Sequence, residues 1–452
     1  MKKLFHLLIF SVLALSSIAQ SDEEMIKKIY DEALTNGEGY EHLRYLTKQI
    51  GGRLAGSPQA AAAVEWSKQV MEDYGFDVTL QEVMVPHWIR GEKEIGRITK
   101  SKMGTVEVNI TSLGNAVGTG SAGVNGKVIE VKGFDELAAL GQNAVKGKIV
   151  FFNRPMDPTQ IRTFMAYGGA SNQRGSGPTE AAKFGAIGVI VRSLGLAHDD
   201  FPHTGSTRYG LNVPKIPAIA ISTNDAELLS KLLRDDDNLE FYFETHAQML
   251  EEVLSYNVVG ELKGKRDRYI AIGGHLDSWD LAEGAHDDGT GCVQSIEVLR
   301  ILQAVGYEPK NTLRAVMFMN EENGLRGGRK YAELAEQNKE QHVAAMESDA
   351  GGFTPRGFGM TASEEAVEKF QSWAPLFEPY GIHEFHSGGG GADISPLRNQ
   401  GVPLIGFIPD SQRYFDYHHT ANDIFENVNK RELELGAATM AALVYLIDKY
   451  GL

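Results

Sequence analysis

The segment Gly274 to Gly291, GHLDSWDLAEGAHDDGTG, gathers His275, Asp277, Asp287 and Asp288 into one glycine-broken stretch. Carboxylates and imidazoles this close repel or stay unsatisfied without a cation between them, and borderline divalent metals such as zinc take both His nitrogen and carboxylate oxygen. A polar surface loop is the plain alternative, because Asp and Gly also build turns. Downstream residues favour the metal. Thr312 to Met319 (TLRAVMFM) has the length and the apolar, β-branched and aromatic texture of a buried strand, and it runs into Asn320, Glu321 and Glu322. Val343 to Met346 leads in the same way to Glu347, Ser348 and Asp349, and the strand-like Pro403 to Ile408 is followed by YFDYHHTAND, which supplies His418 and His419. Ligands of open α/β sheets bind at the carboxyl ends of the strands, so acids and histidines at successive predicted strand ends point to one shared site.

The elements that must position these groups are legible in outline. Asp22 to Ile50 and Pro58 to Tyr74 read as amphipathic helices, and Asp77 to Val85 as a strand entering a first sheet. From about Leu113 to Glu251 the texture changes to many glycines and short strand candidates at Lys127 to Val131, Lys148 to Phe152, Ile187 to Val191 and Ile216 to Ile221. Tyr269 to Gly273 then opens the metal-bearing half, and Asp288 to Val305 reads as a helix burying Val293, Ile296 and Leu299. A last helix is predicted to bury one face of Leu433 to Leu446, with Asn429 as its cap and Glu432 reaching back to the cap.

The motifs GHLDSWD, GAHDDGTG, EEN at 321 to 323, ESDAG at 347 to 351, PHTG at 202 to 205, VPKIPAIAIS at 213 to 222 and YFDYHHTAND together resemble the two-zinc exopeptidases of the aminopeptidase and glutamate carboxypeptidase type. The resemblance covers nearly all of the chain after its N-terminal leader. It implies an α/β fold: a mixed-sheet zinc exopeptidase catalytic domain, of the phosphorylase/hydrolase-like kind, carrying an inserted protease-associated domain. The expected division is 20–112 and 251–452 for the catalytic domain and 113–250 for the insert. It further implies two zinc ions, with His275 and Asp349 on one, Glu322 and His419 on the other, and Asp287 bridging both. Glu321 becomes the general base and Asp277 a neighbour of the metal site. From the residues alone Asp288 and His418 are equivalent to Asp287 and His419; the family pattern selects the latter two, and it also tends to hold the peptide after the bridging Asp in cis.

These roles are chemically coherent. Each ion has three protein ligands, which leaves a position open as a catalytic site requires, and two ions can acidify a shared water and clamp the oxygens of the intermediate. Glu321 would take the proton of that water and hand it to the leaving amine. On an extended backbone Asp277 points to the same side as His275, so its carboxylate is expected to accept the second imidazole N–H.

The first residues supply an address. Lys2 and Lys3 precede an apolar run from Leu4 to Leu15, and Ser17-Ile18-Ala19 has the small residues that a signal peptidase reads, so 1–19 is expected to be a signal peptide and the protein periplasmic or secreted. The run is too short to span a membrane comfortably, and no span is expected in the mature chain. The single cysteine, Cys292, cannot form an internal disulfide. Net charge is −16, and losing Lys2 and Lys3 with the leader makes it −18, which excludes nucleic acid as a natural partner. The length of 452 residues calls for more than one folding unit.

A short peptide is the expected partner, and a homodimer is a further arrangement open to the chain. Substrate selection is thinly encoded. Arg174 falls where the carboxypeptidase branch of the family has an Arg before an EAAK helix, and His203 belongs to the matching PHTG; a solvated loop residue is the plain alternative for Arg174. In the loop Ser387 to Ala392 (SGGGGA) four glycines, Gly390 among them, let backbone N–H groups approach a substrate. The combined expectation is an exopeptidase for short peptides, dipeptides with free termini foremost. An aminopeptidase for longer chains is the alternative. A glutaminyl cyclase, which uses one metal, and a receptor-like relative that has lost ligands both conflict with the intact five-residue set.

Overall fold

The computed structural model describes residues 21–452; the expected signal peptide lies outside them. Two eight-stranded mixed sheets dominate the chain. The first runs in the order Asp77–Ile89, Gln248–Leu262, Asn311–Phe318, Arg266–His275, His342–Glu347, Leu404–Pro409, Pro355–Thr361 and Glu384–Ser387. Its four central strands, from Asn311–Phe318 to Leu404–Pro409, are mutually parallel. Their carboxyl ends therefore share one edge, where His275, the turn after Phe318 and the turn after Glu347 emerge together.

Alternation along these strands feeds two cores, as a period of two dictates. Leu313, Ala315 and Met317 join the larger cluster, while Val316 and Phe318 pack with Tyr331, Ala332 and Ala335 on the opposite face. The helices Thr290–Ala304, Lys430–Tyr450 and Asp22–Asn36 cover the first face, and Arg326–Asn338 covers the second. Local signals start these helices. Ser21 forms a capping box with Glu24, Ser57 caps the helix that begins at Pro58, and the Asn429 side chain accepts from the Glu432 N–H. The Glu432 carboxylate does not reach back to the cap as expected; the Thr354 hydroxyl donates to it instead.

Asp77–Ile89 and Gln248–Leu262 pair antiparallel, ending on the neighbours Ile89 and Gln248. The second sheet occupies the sequence between those two residues, so the chain leaves the first sheet and returns to the same place. Its order is Val106–Val108, Glu94–Lys100, Glu240–Thr245, Val124–Val131, Ile149–Phe152, Gly188–Arg192, Ala218–Ile221 and Ile110–Ser112. The four short strands expected from the sequence are all in it. It begins earlier than expected, however: Glu94–Lys100, ahead of residue 113, is bound into it by antiparallel pairing with Glu240–Thr245. Among the described residues no helix is long and apolar enough to cross a membrane.

Candidate metal centre

The carboxyl edge of the first sheet brings His275, Asp287, Glu321, Glu322, Asp349 and His419 together. Two histidines flank Asp287: His275 Nε2 lies 3.2 Å from Oδ1 and His419 Nε2 3.3 Å from Oδ2. Each histidine faces a second carboxylate, His275 that of Asp349 at 3.5 Å and His419 that of Glu322 at 3.2 Å. These spacings fit a cation held between the donors, since two ligands about 2.0–2.1 Å from one tetrahedral ion stand about 3.3–3.4 Å apart. Buried Asp287 Oδ2 has no hydrogen-bond partner, an unmet charge of the kind a cation satisfies. Among the described residues two groups can hold an ion by donor spacing, His275–Asp287–Asp349 and Asp287–His418–His419.

His418 enters the second group at 3.8 Å from Asp287. It stacks on His419 with ring centroids 3.5 Å apart, but only His419 also faces Glu322. The Asp287–Asp288 pair resolves in a similar way. Both oxygens of Asp288 are taken by backbone donors, Oδ2 by the His275 N–H at 3.0 Å and Oδ1 by the Gly291 N–H at 3.0 Å. Asp287 is the one left to face the histidines, and the peptide between the two is cis.

The electrostatics follow from burial among like charges. Burial opposes a charge on His275, yet Asp287 and Asp349 outweigh it and hold its pKa well above the usual imidazole range. Burial likewise raises Asp287, but His275 and His419 hold it well below the usual carboxylate range. Glu322 is pushed well up by burial and then by Asp287. Glu321 is raised to about 8, chiefly by burial, with Asp349 and Asp287 adding to it.

Asp277 departs from expectation. The His275 Nδ1 meets the backbone carbonyl of Asp277 at 2.8 Å, whereas the carboxylate stands 4.0 Å away. Its Oδ1 accepts instead from the backbone N–H groups of Asn320, at 2.6 Å, and Glu321, at 3.0 Å. Asp277 thus shapes the turn that presents Glu321 and Glu322. The Glu322 carboxylate is steadied separately by the Trp279 N–H at 3.1 Å.

Other positioning residues were not singled out from the sequence. The two oxygens of buried Asp423 accept from the His286 N–H at 2.7 Å and the Asp287 N–H at 3.1 Å, fixing the backbone that carries Asp287. Arg53, fully buried, donates to the carbonyls of Leu276 at 2.5 Å, Glu283 at 2.7 Å and Gly284 at 3.0 Å, tying the two ends of the 276–284 loop together. The only hint for either is the residue type: a charged side chain amid small or turn-forming neighbours.

Beside Asp349 opens a cleft of about 560 Å³, walled by Glu347, the glycines 388–391, Phe407 and Arg162. Gly390 lines it, with a φ of +139° that favours glycine. The tightest approach is at Gly391, where a Cβ would stand 2.1 Å from the Glu347 carboxylate carbon. Neither Arg174 nor His203 lines this cleft. Arg174 is buried rather than solvated; its Nη1 donates to the Thr204 carbonyl at 3.3 Å and its Nη2 to the Tyr167 hydroxyl. His203 is buried as well, its pKa pushed down to about 3 by burial and then by His419 and Arg174.

The family profile described as "Peptidase family M28" matches residues 257–444. Carboxypeptidase Q of Bos taurus is 33% identical over 422 residues, spanning 93% of this chain and 86% of that one. The crystal structure of a peptidase M28 precursor from Shewanella amazonensis SB2B superposes with a TM-score of 0.90 at 32% identity, covering 94% of this chain and 96% of that one. A zinc aminopeptidase from Bacillus subtilis, at 20% identity, shares the fold with a TM-score of 0.66 over 90% of this chain and 94% of its own. A parallel-centred sheet with histidines and acids on its carboxyl edge, in a chain this similar to known peptidases, defines a metallo-exopeptidase. The chain belongs to peptidase family M28.

Proposed function

We propose that the protein is an exported, zinc-dependent exopeptidase that hydrolyses short peptides, dipeptides with free termini foremost. The observation that carries the reading is the pair of His–carboxylate couples on either side of Asp287, at 3.2 and 3.3 Å. His275 and Asp349 would hold one zinc ion, Glu322 and His419 a second, and Asp287 both. When bound, the two ions supply Lewis-acid polarisation of the scissile carbonyl and acidify the attacking water.

The chain's own residues do the rest. Glu321 takes the proton of the water on its carboxylate and returns it to the leaving amine. Burial raises the Glu321 carboxyl above the ordinary carboxylate range, and bound cations would lower it again, toward the poise that a group accepting and releasing a proton requires. Asp277 holds the Glu321 backbone, so the base and the neighbouring ligand Glu322 stay in register. The cleft beside Asp349 would receive a substrate side chain, its glycine wall letting backbone approach closely. The second sheet would be a protease-associated domain, and residues 1–19 a leader directing the protein to the periplasm or the medium.

Hydrolysis of free dipeptides, N-blocked dipeptides and C-amidated dipeptides by the mature protein tests the specificity. Cleavage of free dipeptides with loss of activity on both blocked forms is expected. Equal rates on C-amidated and longer peptides would favour the aminopeptidase reading, which the shared fold with the Bacillus subtilis zinc aminopeptidase supports. The same panel with Arg174→Ala, with zinc analysis of the variant because Arg174 Nη1 stands 3.3 Å from His419 Nδ1, tests whether Arg174 serves the substrate carboxylate: a KM raised for free dipeptides alone would favour that role, and equal loss on all substrates a structural one.

A further inference from the structure

The segment His203 to Ser206 lies in the sequence of the second sheet, yet it grips two candidate ligands from the first. The Thr204 N–H donates to the His419 carbonyl at 2.9 Å. The Thr204 carbonyl in turn stands 3.3 Å from His419 Nδ1, as does Arg174 Nη1, so residue 204 touches both the backbone and the ring of that histidine, whose φ is +64°. Two residues on, the Ser206 hydroxyl donates to the Glu322 carbonyl at 2.8 Å. Thr204 is itself anchored, its hydroxyl donating to the Ser112 carbonyl at 2.8 Å. Between them Gly205 adopts a φ of +125°, and a Cβ there would lie 2.6 Å from His419 Nδ1 and 2.5 Å from the Arg174 guanidinium.

The other side of Asp287 is built differently. His275 Nδ1 meets the Asp277 carbonyl, which comes from the first sheet. An imidazole that offers Nε2 to a cation carries its proton on Nδ1, and the acceptor for that proton fixes the ring's orientation and raises its basicity. One candidate site therefore takes its acceptor from its own sheet and the other from the second layer.

We propose that Thr204, Gly205 and Ser206 form a clamp through which the second layer sets the affinity of the Glu322–His419 cation site, leaving the His275–Asp349 site unaffected. The inference rests on the two-ion reading above. These are positioning residues: they reach the cation only through His419 and Glu322. The layer is then part of the metal centre as well as a wall beside it, and loosening it would empty one site selectively.

The test is zinc occupancy, measured by competition with a chromophoric chelator and located by anomalous diffraction from crystals at limiting zinc. In Gly205→Ala the methyl must displace Arg174, His419 or both, and the ion beside His419 and Glu322 is expected to weaken by about 10- to 100-fold while the ion beside His275 and Asp349 keeps its affinity. Thr204→Val and Ser206→Ala, which remove one hydroxyl each, are expected to shift the same ion in the same direction by less, and they carry the test if the glycine variant does not fold. A shift of both ions together, or of neither, in folded variants overturns the clamp while leaving the two-ion reading intact. A wild-type protein that binds no pair of ions flanking Asp287 overturns both.

Discussion

Replacing Glu321 by Gln separates proton transfer from metal binding. The substitution removes the proton acceptor and keeps shape, size and backbone. The N–H groups of Asn320 and Glu321 still reach Asp277 Oδ1, at 2.6 and 3.0 Å, because those bonds are made by main chain. The Glu322 carboxylate still accepts from Trp279 at 3.1 Å. The ligand frame should therefore survive, and the loss should be confined to general acid–base catalysis, about 10²- to 10⁴-fold in kcat/KM, or about 2.7–5.5 kcal/mol of barrier. Steady-state kinetics on a free dipeptide, with zinc analysis of the same sample, reads both quantities. The pH profile gives a second check. Glu321 works as a base only when ionised, so activity falls as pH drops through its pKa. That group stands at about 8 without the field of bound cations, which would lower it; the acid limb is expected below pH 8 in the wild type and absent from the residual activity of the variant. An activity within about ten-fold of wild type, or loss of an ion, would refute the reasoning.

His286 and Arg53 give two further expectations. Burial pushes the His286 imidazole down to about 4, and the ring stacks on both Phe353 and Tyr417. A depressed histidine contributes stability that is present above its ordinary value of about 6.5 and is lost as pH falls through 4, here about 3 kcal/mol; denaturant melts should show His286→Phe losing much of that slope between pH 6.5 and 4, and an unchanged slope would assign it elsewhere. Arg53→Met strands the Leu276, Glu283 and Gly284 carbonyls, at about 1–3 kcal/mol per orphaned acceptor, so the denaturation midpoint and the activity should fall together; an unchanged midpoint would show that water replaces the guanidinium.

What could be read from the sequence follows the reach of each signal. Asn311–Phe318 is legible through a largely apolar stretch, interrupted by Thr312 and Arg314, because a strand covered on both faces shows no polar alternation. The charged residues beyond such runs stood out for the same reason, and the structure brings His275, Asp287, Glu321, Glu322, Asp349 and His419 to one edge. Gln248–Leu262 was missed because its first half is exposed and rich in glutamate, without the alternation of a half-buried strand. Its role is topological: the pairing of Ile89 with Gln248 marks where the chain leaves the first sheet for the second and returns. Asp423 and Arg53 were not assigned roles because their partners are backbone atoms distant in sequence, which leave no mark on composition. Asp277 shows the limit of local geometry: being two residues from His275 correctly implied proximity, but the backbone carbonyl took the imidazole and freed the carboxylate for Asn320 and Glu321.

The central claim is that Asp287 lies between two cations. Anomalous diffraction at the zinc edge, from crystals of the mature protein grown with zinc, tests it without reference to activity. Two peaks are expected about 3.5–4 Å apart, one within bonding distance of His275 and Asp349, the other of Glu322 and His419, with an Asp287 oxygen on each. A single peak in fully active protein, or a second peak bound through His418 in place of His419 and Glu322, would contradict it.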